Sequence, residues 1–438
     1  MNLQNRLNDA VDKHGVPGAA IAVWHGGELH EAASGVLNTR TGVLATPDSV
    51  FQVGSTTKVW TAALVMQLAE EGLVDLDESV AAYLPDFPVQ GAITVRHLLT
   101  HTGGFDGDLF EDTGRGDDCL DKYLGFLKDA GHVHAPGELF SYCNAGYCVL
   151  GALVARLRGT TWEQALRDHL ITPLGVTQAA LFGEEAVLFR ASAGHIGPDN
   201  QVYPQWQMPR SNAPAGSTFC LAPRELVRFG RMFLAGGLAE DGTRVLSQAT
   251  VEAMLTTQVE VPIRHGMLGD RWGLGFELFD WGGYGHDGGT PGQSTFWRVV
   301  PGSDMSIALT VNGGGATGVI VDLAVPLIEE LTGLKLPSQP TPAASPGAFD
   351  ASVYAGRYQG PQMAYEVGAA GSELEVTLIP GELMKSMGQE GKVARYVHLA
   401  DDTFVAVEAE DGHHETVSFV VRDGRAAYLH NSRALPRV

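Results

Sequence analysis

With 438 residues, 44% of them hydrophobic and 18% charged, the chain can bury more than one proper core, and a disordered polymer is excluded. Its formal net charge of −22 at pH 7 argues against nucleic acid and anionic membranes as partners, since both demand clustered Lys and Arg. No apolar run reaches the roughly 20 residues that cross a bilayer.

In chain order, residues 1–11 read as a short amphipathic helix. They lack the basic and apolar regions of a secretory leader, so a cytoplasmic location is expected. Strand candidates 19–25 and 28–34 follow, joined by Gly26-Gly27 as a tight hairpin. Ser55-Thr56-Thr57-Lys58 then opens an apolar helix that runs through Ala62, Leu64, Met66 and Leu68 to a stop at Gly72. Three residues apart on a helix, the Ser55 hydroxyl and the Lys58 amine share a face. First-turn N–H groups have no partner inside the helix and point at whatever sits on Ser55. A nucleophile, an amine beside it and half an oxyanion hole arrive together. Lys58 is the only one of seven lysines with a serine three residues before it. Taken alone, the spacing also suits a capped helix with a solvated lysine.

Residues 51 to about 260 read as mainly helical with long loops. The loop 106–118 carries Asp106, Asp108, Glu111, Asp112, Asp117 and Asp118, either a solvated face or a lining that favours cationic substrates. Tyr142-Cys143-Asn144, the only Tyr-x-Asn, precedes an apolar helix over 149–157. A phenol near a lysine ammonium ionises more easily and can then take the serine proton and hand it to a leaving group. Asn144 offers a donor and an acceptor for orienting Lys58 and a substrate amide. An ordinary buried tyrosine at a helix start fits the same residues. Cys119, Cys143, Cys148 and Cys220 are too scattered for a disulfide framework and read as reduced thiols, with Cys143 open to alkylation as the alternative.

Strands resume at 272–279, 283–287, 295–300 and 306–311, before a closing helix at 319–331. Between the strand-like runs 272–279 and 294–300 lies His286-Asp287-Gly288-Gly289. Glycine at 288 and 289 lets the backbone approach a ligand closely, and the Gly289 N–H is a candidate second oxyanion donor beside that of Ser55. A glycine-rich hairpin with a surface histidine is the plainer reading. Residues 336–350 are a Pro/Ala/Ser linker. Seven short β-like runs follow between Tyr354 and Leu429, with turns at 370–372, 410–412 and 423–424, an up-and-down meander expected to form a small barrel. Arg433 and Arg437 are either exposed tail arginines or reach back to a substrate carboxylate. No metal motif is present, since His132, His134, His413 and His414 lack partner ligands, and no nucleotide-binding glycine motif suggests a cofactor.

Ser-x-x-Lys, Tyr-x-Asn and His-x-Gly in that order resemble the serine β-lactamase and penicillin-binding-protein superfamily. The closer likeness is to class C β-lactamase-like esterases and peptidases, which carry His-x-Gly where true β-lactamases carry Lys-Thr-Gly. The stretch from Ile93 to Phe105, with its His97-Leu98-Leu99-Thr100-His101-Thr102-Gly103, and Pro214-Ala215-Gly216-Ser217 belong to the same pattern. The resemblance implies an α/β fold: an antiparallel sheet flanked by helices with an all-helical subdomain over 1–335. The meander of 351–438 resembles the lipocalin-like domains attached to some members. It implies Ser55 as the acylated nucleophile, Lys58 and Tyr142 sharing general base and acid work, and Asn144 and His286 positioning substrate and leaving group. His286 and Asp287 stand where a β-lactamase has the Lys and Thr that bind the drug's carboxylate, so efficient penicillin hydrolysis is not expected. The expected activity is a serine hydrolase of esters, small amides or peptides, including those with D-residues. The alternative is an acyltransferase or peptide cyclase like the penicillin-binding-protein-type thioesterases, acting on a carrier-protein-bound peptide.

Overall fold

The structure, a computed structural model, describes residues 2–263, 268–382, 385, 390–410 and 413–438. Strand Gly18–His25 turns at Gly26-Gly27 into Glu28–Asn38, and both glycines have positive φ, 63° and 81°, as a two-residue hairpin turn of matching twist requires. The other edge of the first strand pairs with Met305–Val311, from far down the chain, which in turn pairs with Gln293–Val300. Among the described residues, ten strands form this antiparallel sheet. Successive side chains face opposite sides of it. Ile21 and Val23 pack with helix Leu3–His14 and the helical run from Ala316 to Thr332, whereas Ala22 and its neighbour Ala308 face the larger core.

That larger core joins sheet to helices. Helix Pro223–Leu234 lies against the sheet so closely that a Cβ on Gly230 would come within 2.4 Å of Ser306 Oγ. Phe229, on the same helix, stacks on Trp60 at 3.8 Å between ring centres and on Trp297 of the sheet at 5.7 Å. Trp60 belongs to helix Thr57–Glu70, in which every side chain from Thr57 to Leu68 is buried. The Trp60–Phe229–Trp297 stack therefore fixes the helix of the Ser-x-x-Lys motif relative to the sheet.

Two expectations change. The run 272–279 is not one strand but a hairpin of Arg271–Trp272 and Glu277–Leu278. Gly275 makes the turn at φ 92°, and a Cβ there would lie 2.5 Å from Ala62 Cβ, so the apolar run folds back against the helix. The mainly helical middle also contains a small sheet of Phe51–Gln52, Cys220–Leu221 and Ala179–Ala180, strands too short to leave a periodic signal. Residues 334–350 carry neither helix nor strand.

From Gly356 to Pro436 eight strands, among the described residues, follow one another as an antiparallel meander. Val438 N donates to Arg357 O at 2.9 Å and Tyr358 bridges to Arg437, so the sheet nearly closes on itself as a barrel around Tyr358, Phe404 and Phe419. The eighth strand, Ala434–Pro436, has no counterpart in the sequence reading. The turn expected at 410–412 lies mostly outside the described residues.

Trp60→Ala should destabilise the protein by about 3–5 kcal/mol, the usual loss for a fully buried tryptophan. A lowered denaturation midpoint by circular dichroism checks this.

Candidate active site

The Ser55 turn is built by close backbone packing. A short 3-10 turn, Gly54–Thr56, precedes helix Thr57–Glu70. Gly54 has φ 53°, and a Cβ on it would meet Gly289 N at 2.4 Å. A Cβ on Gly288 would lie 1.9 Å from Val53 O, and one on Gly216 would lie 2.1 Å from Gly54 O. Three chain segments converge on Ser55 where only glycine fits. Ser55 and Gly289 thereby come to the wall of one cavity.

Lys58 Nζ donates to Ser55 Oγ at 3.0 Å and to Ala215 O at 2.7 Å. The Lys58 side chain has no solvent exposure, and its Nζ lies 4.9 Å from the Tyr142 ring centre. The Tyr142 and Ser55 hydroxyls are neighbours in the site, close enough to influence each other's ionisation. Ser55, Tyr142, Asn144, His286, Gly288 and Gly289 all line the same cavity of about 340 Å³, with Lys58 directly behind Ser55.

Tyr142 is held from two sides. Ser141 N donates to His101 O at 2.8 Å, Cys143 N donates to His101 Nδ1 at 3.0 Å, and the His101 ring stacks on Tyr142 at 4.3 Å. His101 adopts φ 56°, a left-handed conformation few non-glycine residues take. From the barrel, Ser432 O accepts from Tyr142 N at 2.9 Å, His430 Nε2 donates to Phe140 O at 2.9 Å, and Ala434 N donates to Ser141 Oγ at 3.1 Å.

A family model described as beta-lactamase matches residues 3–325. Penicillin-binding protein 4 of Amycolatopsis lactamdurans is 45% identical over 368 residues, 81% of this chain and 96% of its own length. The chain belongs to the beta-lactamase family. Among solved structures, SurE with D-Leu superposes at a TM-score of 0.78 and 30% identity over 100% of this chain and 98% of that one. The D-amino acid amidase of Ochrobactrum anthropi SV3 shares the fold, with a TM-score of 0.64 and 23% identity over 75% of this chain and 99% of its own.

Within this member of the beta-lactamase family, burial decides the protonation states. It pushes the Lys58 amine down to about 7 and lifts the Tyr142 phenol above its ordinary range, although the neighbouring Ser55 hydroxyl and the Arg433 charge pull the phenol part-way back. The sequence expectation of a readily ionised phenol is thereby corrected: the amine, not the phenol, gives up its proton first. Asn144 also departs from expectation, because Nδ2 donates to Asp108 Oδ1 at 2.8 Å while Ala215 O takes the place foreseen for it beside Lys58.

His286 is neutral, held down to about 3 by burial and by the nearby Lys58. Its Nδ1 donates to Asp287 O at 2.5 Å. Asp287 is paired with Arg298 at 2.5 and 2.9 Å, and Glu277 beneath them is raised to about 8 by burial and by Asp287. Neither His286 nor Asp287 offers a positive charge to an anion.

The remaining candidates sort themselves. Asp108 is bound by Arg433, which lines the cavity, whereas Arg437 is tucked against barrel carbonyls of Val353 and Ala426. In the acidic loop Asp106 and Asp108 turn inward and Glu111, Asp112, Asp117 and Asp118 do not. All four cysteines are free and buried; Cys143 caps helix Asn144–Arg158, accepting from Gly146 N at 3.2 Å, and burial raises its thiol pKa, which removes the thiolate that alkylation needs. Among the described residues no cluster of potential metal ligands occurs and no helix is long and apolar enough to cross a membrane. Sequence reasoning gave no role to Ala215 O, His101 or Glu277, although Pro214-Ala215-Gly216-Ser217 and the stretch from Ile93 to Phe105 held the first two; Asp108 was read only as one acid of the loop 106–118.

Two outcomes follow from this geometry. Gly288→Ala should lower kcat by about 10²-fold, because its Cβ forces the strand off Ser55, and an ångström of misplacement has that effect; steady-state kinetics on a folded variant checks it. A protonated Lys58 cannot accept the Ser55 proton. The acylation rate should therefore fall as pH drops through about 7, measured as the acidic limb of kcat/KM.

Proposed function

We propose that the protein is a serine acyl hydrolase that works through an acyl-Ser55 intermediate on esters and small amides or peptides, including those with D-residues. The observation that carries this reading is the contact of a wholly buried Lys58 amine with Ser55 Oγ, with Tyr142 on the same cavity wall. Uncharged Lys58 takes the Ser55 proton as Oγ attacks the substrate carbonyl. Oxyanion charge develops between the N–H groups of Ser55 and Gly289. As the bond from acyl carbon to leaving group breaks, Tyr142 gives its proton to the leaving atom and is reprotonated from the Lys58 ammonium. Water then repeats the sequence in reverse, its proton passing by the same path, and releases the acid with Ser55 restored.

The substrate class finds support in likeness. SurE, 30% identical over the whole chain, has a structure with D-Leu, which favours a D-residue near the reacting carbonyl here. Penicillin-binding protein 4 suggests by name that a β-lactam can acylate Ser55. Poor turnover of that adduct is expected, because the neutral His286 and the Arg298-paired Asp287 give its carboxylate no anchor.

A second reading, acyl transfer to an amine as in a peptide cyclase releasing a carrier-bound chain, draws on the barrel. Ser432 and Arg433 form part of the cavity wall, a surround that shelters the acyl-enzyme from bulk water. Both readings share Ser55 acylation and differ in what releases the acyl group.

Incubation with acyl esters and peptidyl thioesters, followed by intact-mass spectrometry, should show one acyl group per chain, absent from Ser55→Ala. Acylation of that variant would refute the assignment. Linear acid as product supports the hydrolase; cyclic or amine-trapped product supports the transferase.

A further inference from the structure

We propose that the Asp108–Arg433 ion pair, one member from the loop ahead of the Tyr142 motif and the other from the last turn of the barrel, is a positioning pair that sets the charge around Ser55, Lys58 and Tyr142. The barrel is then a working part of the active site. This inference rests on the assignment of Lys58 as base made above.

The geometry is specific. Arg433 Nε donates to Asp108 Oδ2 at 2.8 Å and one terminal nitrogen donates to Oδ1 at 3.0 Å, a two-pronged pair. The other terminal nitrogen donates to Ser432 Oγ at 2.9 Å. Asp108 Oδ1 also accepts from Asn144, so the pair is wired into the Tyr-x-Asn motif itself. The guanidinium carbon lies 4.9 Å from the Tyr142 ring centre, the same distance as Lys58 Nζ. The residue before Arg433 accepts the Tyr142 backbone N–H. One turn of the barrel thus fixes the tyrosine's backbone and places a cation beside its ring.

The groups facing Lys58 come from several elements: Cys143, Cys148, Tyr142 and Tyr147 from the Tyr-x-Asn segment and its helix, His101 from the preceding turn, His286 from the sheet, and the pair itself. The thiols and phenols are held protonated and the histidines neutral by burial. Around Tyr142, Glu277 adds a carboxyl held largely protonated at neutral pH. Asp108 and Arg433 are therefore the charged members of the set, and their effects on Lys58 have opposite signs. Intact, the two members oppose each other at the amine, whose pKa burial holds down to about 7. A lone Asp108 carboxylate would hold the proton on Lys58; a lone Arg433 guanidinium would drive it off.

The test is the pH dependence of kcat/KM for a chromogenic acyl ester with Arg433→Met, Asp108→Asn and the double variant. The acidic limb should move up by as much as about 1 unit in Arg433→Met and down by a similar amount in Asp108→Asn, and return close to wild type when both are changed. Arg433→Lys, which keeps the charge, should leave the limb in place. A role confined to holding the barrel would lower kcat in all of them without opposite shifts. Limbs that stay put, or move together, in variants that melt like wild type overturn the proposal. Should Arg433→Met fail to fold, Asp108→Asn and Arg433→Lys decide it alone: a downward shift in the first with none in the second supports the pair, and any other result overturns it. A wild-type Ser55 that never acylates would instead refute the parent assignment, and this inference with it.

Discussion

The site depends on an amine that cannot reach water. Helix Thr57–Glu70 is apolar on all sides and buried from Thr57 to Leu68, so Lys58 has no direction in which to extend its charge to solvent. An ammonium there would be desolvated with only one carbonyl, Ala215 O, and the Ser55 hydroxyl to compensate. Burial of an incompletely paired charge is costly enough that the group sheds its proton instead. The same packing that fixes the helix against the sheet through Trp60, Phe229 and Trp297 thus makes the lysine basic in function and neutral in form.

That constraint orders what surrounds it. Because the proton acceptor is set deep, Ser55 must sit in the 3-10 turn that leads into the helix, only partly buried, with its backbone crowded by Gly54, Gly216 and Gly288. Tyr142 has to bridge the buried amine and the open cavity, which requires a tightly held backbone. His101 supplies one clamp, accepting the N–H groups on either side of Tyr142 with its carbonyl and its ring nitrogen. The barrel supplies the other. Neither clamp can be replaced by solvent without freeing the phenol.

What was legible in the sequence follows the range of the interactions. Ser55 and Lys58 are one helical turn apart, so their contact is local and the spacing reveals it. The hairpin at Gly26-Gly27 and most barrel strands are likewise local patterns. The ionisation of Tyr142 was misjudged because it depends on burial by residues far along the chain, and propensity does not report that. The run 272–279 carries apolar residues suited to a strand, but Gly275 packing against Ala62 folds it into a hairpin. Asp108 and Arg433 were visible only as a member of an acidic loop and a tail arginine. Their bond spans 325 positions, and no local pattern encodes it.

The third motif shows how pairing within the wall fixes the charge it presents to the cavity. His286 donates from Nδ1 to Asp287 O, so its other nitrogen carries a lone pair rather than a proton. Asp287 is already matched by Arg298, whose guanidinium lies 4.4 Å and 4.3 Å from the ring centres of Phe279 and Phe296 and has no freedom to turn toward a ligand. The His286 side of the cavity wall therefore presents no unpaired positive charge among the described residues. Among the described residues, the cation that lines the cavity is Arg433 on the barrel side, already matched by Asp108. Arg298 on the sheet and Arg433 on the barrel are thus each committed to a carboxylate, Asp287 and Asp108.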